Sequence, residues 1–156
     1  ADIVRAAEAT ARPQVRGQKS VVDVDIEPAD LAVVADSVRM TQVLVNVFTN
    51  AFKYGPRDGT VWVRARPLGA DGGVRVTVID EGPGMTEADM RKAFEPFFRA
   101  NPTNPEAEGT GLGLALVAEI MQLHGGRAAL STADGGGLEV TLDVPPEGGD
   151  AARHPK

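Results

Sequence analysis

Cysteine is absent from this chain of 156 residues, which removes disulfides, thiolate catalysis and Cys-based metal sites from consideration. Only two histidines are present, His124 and His154, far apart and outside any His-Glu-x-x-His pattern, so a zinc centre is not expected. No apolar run approaches the roughly 18 residues that a membrane-spanning helix needs. Residues 1–18 are polar and amphipathic and lack the apolar stretch of a secretory signal. The net charge is −6 with no basic stripe, which argues against nucleic acid as a partner. No Gly-Lys-Ser/Thr follows a glycine run, so there is no P-loop.

What is present suits one domain: the length fits, and 42% apolar residues can fill a core. Residues 1–18 read as a helix with Ile3, Val4, Ala7 and Ala11 on one face, interrupted at Pro13. Val21–Ile26 alternates apolar and acidic residues and reads as a strand. Asp36 is a good cap for a helix whose apolar positions Met40, Val43, Leu44, Val47, Phe48 and Ala51 keep the 3.6-residue period until Gly55-Pro56. Residues 60–66 and 74–80 form an expected antiparallel hairpin. Thr86 caps a short helix over 87–94. Residues 99–108 lack periodicity and read as a mobile loop. A helix over 112–123 ends at Gly125-Gly126, strands 127–132 and 138–144 flank Gly135-Gly136-Gly137, and 146–156 reads as a disordered polar tail. The sum predicts an α/β (α+β) two-layer sandwich, a mixed sheet with its helices on one face.

Three segments carry chemistry. Asn46, Asn50 and Lys53 share one helix face beside the apolar stripe. A carboxamide oxygen is a legitimate ligand for Mg²⁺ when a triphosphate supplies the other oxygens, and Lys53 can bind phosphate as a point charge. Asp80, at a strand end before Gly82 and Gly84, can accept from an exocyclic amine, although Asp-x-Gly-x-Gly alone reads equally as an ordinary turn. Gly109, Thr110, Gly111, Leu112 and Gly113 open a helix whose free amides favour phosphate oxygens, again a weak signal by itself. Together they supply what a purine nucleotide with a metal-bound triphosphate requires. Phe94-Glu95-Pro96-Phe97-Phe98-Arg99 holds three of the five phenylalanines and reads as an apolar anchor for the loop; Arg99 is either a surface residue or a fork that swings onto a γ-phosphate. His124, at a helix end, is expected to satisfy terminal carbonyls or to pack, not to catalyse.

These segments, in this order, resemble the ATP-binding catalytic domain of bacterial two-component sensor histidine kinases, within the gyrase, chaperone and MutL-type ATPase superfamily. Residues 42–54 (Gln-Val-Leu-Val-Asn-Val-Phe-Thr-Asn-Ala-Phe-Lys-Tyr) look like the N box, residues 80–84 like the first glycine box, 94–99 like the F box and 109–114 like the second glycine box. The resemblance implies a Bergerat-type ATP-binding fold with ATP and Mg²⁺ as cofactors. It implies that Asn50 ligates the metal, Asn46 assists at the phosphates, Lys53 contacts phosphate and Tyr54 lines the pocket. Asp80 would bind the adenine amine, Gly82 and Gly84 would shape the pocket, and the 109–113 run would border the phosphates. Residues 99–109 would form a lid with Arg99 near the γ-phosphate.

Two departures matter. Leu138 stands where the family often has Ser or Thr after the final glycine turn, which puts a hydroxyl-mediated adenine contact in doubt. A phosphoacceptor histidine followed by an acidic residue is missing: Gly125 follows His124 and Pro155 follows His154. The expectation is therefore a piece of a longer kinase: 1–18 a remnant of the connection to dimerisation helices, 19–145 the catalytic domain, 146–156 a tail. Its expected partners are the dimerisation and histidine-phosphoacceptor domain of the same protein and a response regulator. Its expected location is cytoplasmic, with any membrane contact through missing regions. Asn46 stands where hydrolytic relatives have a Glu base, and a neutral amide cannot abstract a proton at neutral pH. That favours phosphoryl transfer to histidine over the alternatives of an ATPase or a non-catalytic nucleotide-binding regulatory module.

Overall fold

The alternating segments pair into one mixed sheet. The computed structural model, which describes residues 2–17, 19–33, 35–70, 72–96 and 113–146, contains strands β1 (Val21–Ile26), β2 (Thr60–Pro67), β3 (Val74–Ile79), β4 (Arg127–Thr132) and β5 (Leu138–Val144). Their spatial order is β1-β2-β3-β5-β4, with β1 parallel to β2 and every other neighbouring pair antiparallel. Alternation decides the inner face. Val61, Val63 and Ala65 of β2, Val78 of β3 and Leu138, Val140, Leu142 and Val144 of β5 are all buried. The opposite face carries Arg64 and the ion pairs Arg66–Asp25 (2.9 Å) and Arg75–Asp143 (2.7 Å), partly exposed contacts that solvent screens.

Helices α1 (Asp2–Ala11), α2 (Ser37–Tyr54) and α4 (Gly113–Leu123) cover the inner face, giving the two-layer sandwich. The Asp36 side chain accepts from Arg39 N at 3.1 Å and caps α2, and Gly55 N closes its end on Ala51 O. Seven residues of α2 enter the core: Met40, Val43, Leu44, Val47, Phe48, Ala51 and Phe52. The segment 1–18 expected as one helix is α-helical only to Ala11 and then tightens to a 3-10 turn, Arg12–Gln14, because Pro13 has no N–H to continue the ladder. Val4, Ala7 and Ala11 pack that helix onto the core. The helix α3 (Glu87–Lys92) is shorter than expected. Its ladder gives way to tighter bonds, Ala93 N to Met90 O and Glu95 N to Lys92 O, and Pro96 cannot donate.

His124 ends α4 as the sequence suggests: its Nδ1 lies 3.0 Å from Ile120 O, while Nε2 accepts from Asp36 N at 3.4 Å.

Candidate functional site

The site begins where β3 runs out. Asp80 N still donates to Leu138 O (3.1 Å), so the residue is held by the β3–β5 ladder while its side chain turns inward. Asp80 as a whole is 7% exposed. Its Oδ1 accepts from Gly82 N at 2.8 Å and from Leu138 N at 3.2 Å; among the described residues Oδ2 accepts nothing. Burial pushes the carboxyl above the ordinary carboxylate range, and the two N–H donors pull it partly back. A buried carboxylate oxygen without a partner calls for a donor, and an exocyclic amine is one. The Leu138 side chain is buried in the core, so at this position the backbone N–H reaches Asp80 and no hydroxyl is on offer.

The second wall is α2. Asn46, Asn50 and Lys53 are half-buried along one face, as their spacing requires. Asn46 Nδ2 donates to Gly113 O at 3.3 Å, tying the helix to the first residue of α4. Tyr54 ends α2 against the Asp80 corner: a Cβ added at Gly82 would lie 2.6 Å from Tyr54 O. The structure thus joins Tyr54 to Asp80 and Gly82, and Asn46 to Gly113, with Asn50 and Lys53 between on the same helix. Among the described residues no group of three His, Cys, Asp or Glu could hold a metal. A carboxamide at Asn50 suits a hard cation that takes its remaining oxygens from phosphate and water.

Close backbone packing explains why glycine stands at these positions. Gly84 (φ +74°) sits where a side chain would be 2.5 Å from Gly136 O, and Gly82 where one would meet the Tyr54 carbonyl. Both allow protein backbones to close on each other beneath the pocket. Gly137, read only as part of a turn, belongs to the site: a methyl there would fall on the Asp80 carbonyl oxygen and 3.1 Å from Oδ1. Glu81 also belongs to it: its Oε1 accepts from Thr60 N at 2.7 Å and anchors the start of β2 to the site loop. Nothing in the local pattern marks Gly137, whereas an acid beside Asp80 was a visible signal. Arg99, Gly109, Thr110, Gly111 and Leu112, with the expected lid, lie outside the described residues.

A family model described as histidine kinase-, DNA gyrase B-, and HSP90-like ATPase matches residues 35–148. The chain is 35% identical over 143 residues to the histidine protein kinase DivJ of Caulobacter vibrioides, covering 92% of this chain and 22% of that protein. It is 39% identical over 122 residues to the sensor histidine kinase ZraS of Klebsiella oxytoca, covering 78% of this chain and 25% of that protein. The chain therefore spans about a quarter of the length of the curated relatives it matches. Among solved structures, the mycobacterial sensor histidine kinase MprB superposes with a TM-score of 0.80 at 26% identity, covering 92% of this chain and 93% of that one.

Proposed function

Because this chain belongs to the histidine kinase-, DNA gyrase B- and HSP90-like ATPase family and has the fold of a histidine kinase's ATP-binding catalytic domain, we propose that it binds MgATP between α2 and the Asp80 corner. From there it transfers the γ-phosphoryl to a histidine on a dimerisation domain of the same protein. The observation that carries this reading is the carboxylate of Asp80, fixed through Oδ1 by two backbone amides with Oδ2 left to accept the adenine amine.

Each residue then has a task. Asn50 holds Mg²⁺ through its carboxamide oxygen, Lys53 contacts the phosphates, Asn46 steadies them from beside Gly113, and Tyr54 lines the base pocket. When bound, Mg²⁺ neutralises charge on the triphosphate oxygens. Arg99 and the 109–113 run act on the γ-phosphate side. Phosphoryl transfer asks for positioning and charge stabilisation more than for a base when the nucleophile is a neutral imidazole. Asn46 donates its amide to Gly113, a positioning contact, and offers no general base for water. Histidine transfer is favoured over hydrolysis on that ground. α1, packed on the core of the catalytic domain, leads towards the dimerisation helices. The phosphorylated histidine in turn supplies a response regulator. The domain works on the cytoplasmic side, and no helix among the described residues is long and apolar enough to cross a membrane.

The test is a calorimetric titration with a non-hydrolysable ATP analogue, with and without Mg²⁺, on the parent chain and on Asn50→Ala. Mg²⁺-dependent binding that the variant loses supports the site. Equal binding by the variant removes the metal role, and no binding by the parent overturns the nucleotide reading. Phosphotransfer to a separately supplied histidine domain then separates kinase from regulatory module.

A further inference from the structure

Arg12 belongs to none of the motifs above, yet it makes three contacts at once. Where Pro13 breaks α1, Nη2 donates to Glu8 Oε2 (2.8 Å), Nη1 donates to Ser20 O (2.8 Å), and the guanidinium lies over the Phe52 ring, 5.3 Å from its centroid. Ser20 is 5% exposed and gripped from both sides: its carbonyl accepts from Arg12 and its hydroxyl donates to Pro56 O at 3.2 Å. Lys19 N and Val21 N add bonds to Arg57 O (2.8 Å) and Gly59 O (3.0 Å). The segment leaving α1 is thereby laced to residues 56–59, the turn that immediately follows the site helix.

Phe52 is buried, stacked on Phe48 with centroids 6.2 Å apart, and sits one residue before Lys53 and two after Asn50. On a helix, rolling Phe52 rolls both neighbours. Beyond it, Tyr54 and Gly55 abut the opposite wall. A Cβ at Gly55 would lie 3.9 Å from that of Asp80, and the Tyr54 carbonyl faces Gly82. A displacement of residues 52–57 is therefore felt by the metal, phosphate and base parts of the site together. Resting on the nucleotide reading, we propose that Arg12 is a positioning residue for this site: it clamps the C-terminal end of α2 and fixes the separation of Asn50 and Lys53 from the Asp80 corner. A guanidinium suits the task, since it can stack on a ring while its fork holds a carboxylate and a carbonyl.

The experiment pairs amide hydrogen exchange on the nucleotide-free chain with calorimetric titration of a non-hydrolysable MgATP analogue. Arg12→Met keeps much of the apolar stem and removes the fork. It is expected to lose protection selectively at 51–57 and 80–82 and to weaken the analogue by about fivefold or more, the lower end of typical coupling between sites. Arg12→Lys recovers part of both effects, and Ser20→Ala reproduces them from the other side of the clamp. Arg16→Met, which removes an exposed charge just beyond the same turn, produces neither. Should Arg12→Met fail to fold, Arg12→Lys and Ser20→Ala decide. Unchanged exchange at 51–57, protection lost uniformly over all elements, or selective loss with parental affinity each overturn the proposal. A parent chain that binds no nucleotide overturns the functional reading instead, and the exchange pattern still decides whether Arg12 holds the turn.

Discussion

A single methyl at Gly137 separates the roles of the two strands that meet at the site. An added Cβ would fall on the Asp80 carbonyl oxygen, with Oδ1 of the same residue at 3.1 Å, and both are held by backbone and cannot swing aside as a side-chain tip would. Forcing an atom into such a contact costs about 1–3 kcal/mol in a packed interior. If β3 and β5 part to admit it, two hydrogen bonds go: Asp80 N to Leu138 O, and Leu138 N to the Asp80 carboxylate. A neutral bond contributes about 1 kcal/mol and one to a charged group about 1.5–3 kcal/mol. Whichever response prevails, Gly137→Ala should lose about 1–4 kcal/mol, a substantial share of the ~5–15 kcal/mol that a domain has. Urea denaturation reads the loss, and titration of the folded fraction with an ATP analogue reads the damaged base corner. Gly135→Ala is the control on the same turn: nothing lies within 4 Å of its Cβ, and its change should stay within about 0.5 kcal/mol. A Gly137→Ala protein that unfolds with the parent and binds nucleotide unchanged would refute the claim that these strands meet too closely for a side chain.

Burial raises the Asp80 pKa, so on acidification the folded protein takes up that proton before the unfolded chain does. The resulting stability is fully present below the ordinary carboxylate pKa and is lost as pH rises through the raised value. Asp80→Asn keeps an oxygen that can accept from Gly82 and Leu138. It should flatten the pH dependence of stability, leave the fold at least as stable at neutral pH and abolish adenine selectivity. Denaturation across pH and competition between ATP and GTP analogues check both halves, and a strongly destabilised Asn variant at neutral pH counts against the buried-charge argument. Phe48 is fully buried between α2 and the rest of the core, and Phe48→Ala should cost about 3–5 kcal/mol by urea denaturation.

Much of this architecture can be read from local pattern, because caps and periods act locally. Asp36, the apolar stripe of α2 and Gly55 bound the site helix, and strict alternation sets the inward faces of β2 and β5. The Asn46, Asn50 and Lys53 face follows from helical spacing alone. What escapes is long-range pairing. No pattern within residues 135–137 indicates that Gly137 lies against Asp80, since that contact exists only once β3 and β5 are in register. Arg12 reads as one more arginine on an amphipathic helix until Pro13 turns the chain and brings Ser20 and Phe52 to it. The parallel pairing of β1 with β2 is equally silent, because its partners are separated by the whole of α2.

Among the described residues β1 is an edge strand of the sheet, and Asp23 and Asp25 on it are exposed. A bare strand edge is a template for another chain, and acidic side chains on it discourage that pairing. If two copies met there in antiparallel register, carboxylate would face carboxylate across the seam, which is destabilising for directly opposed like charges. The acid border thus works against edge-to-edge pairing of one sheet with another.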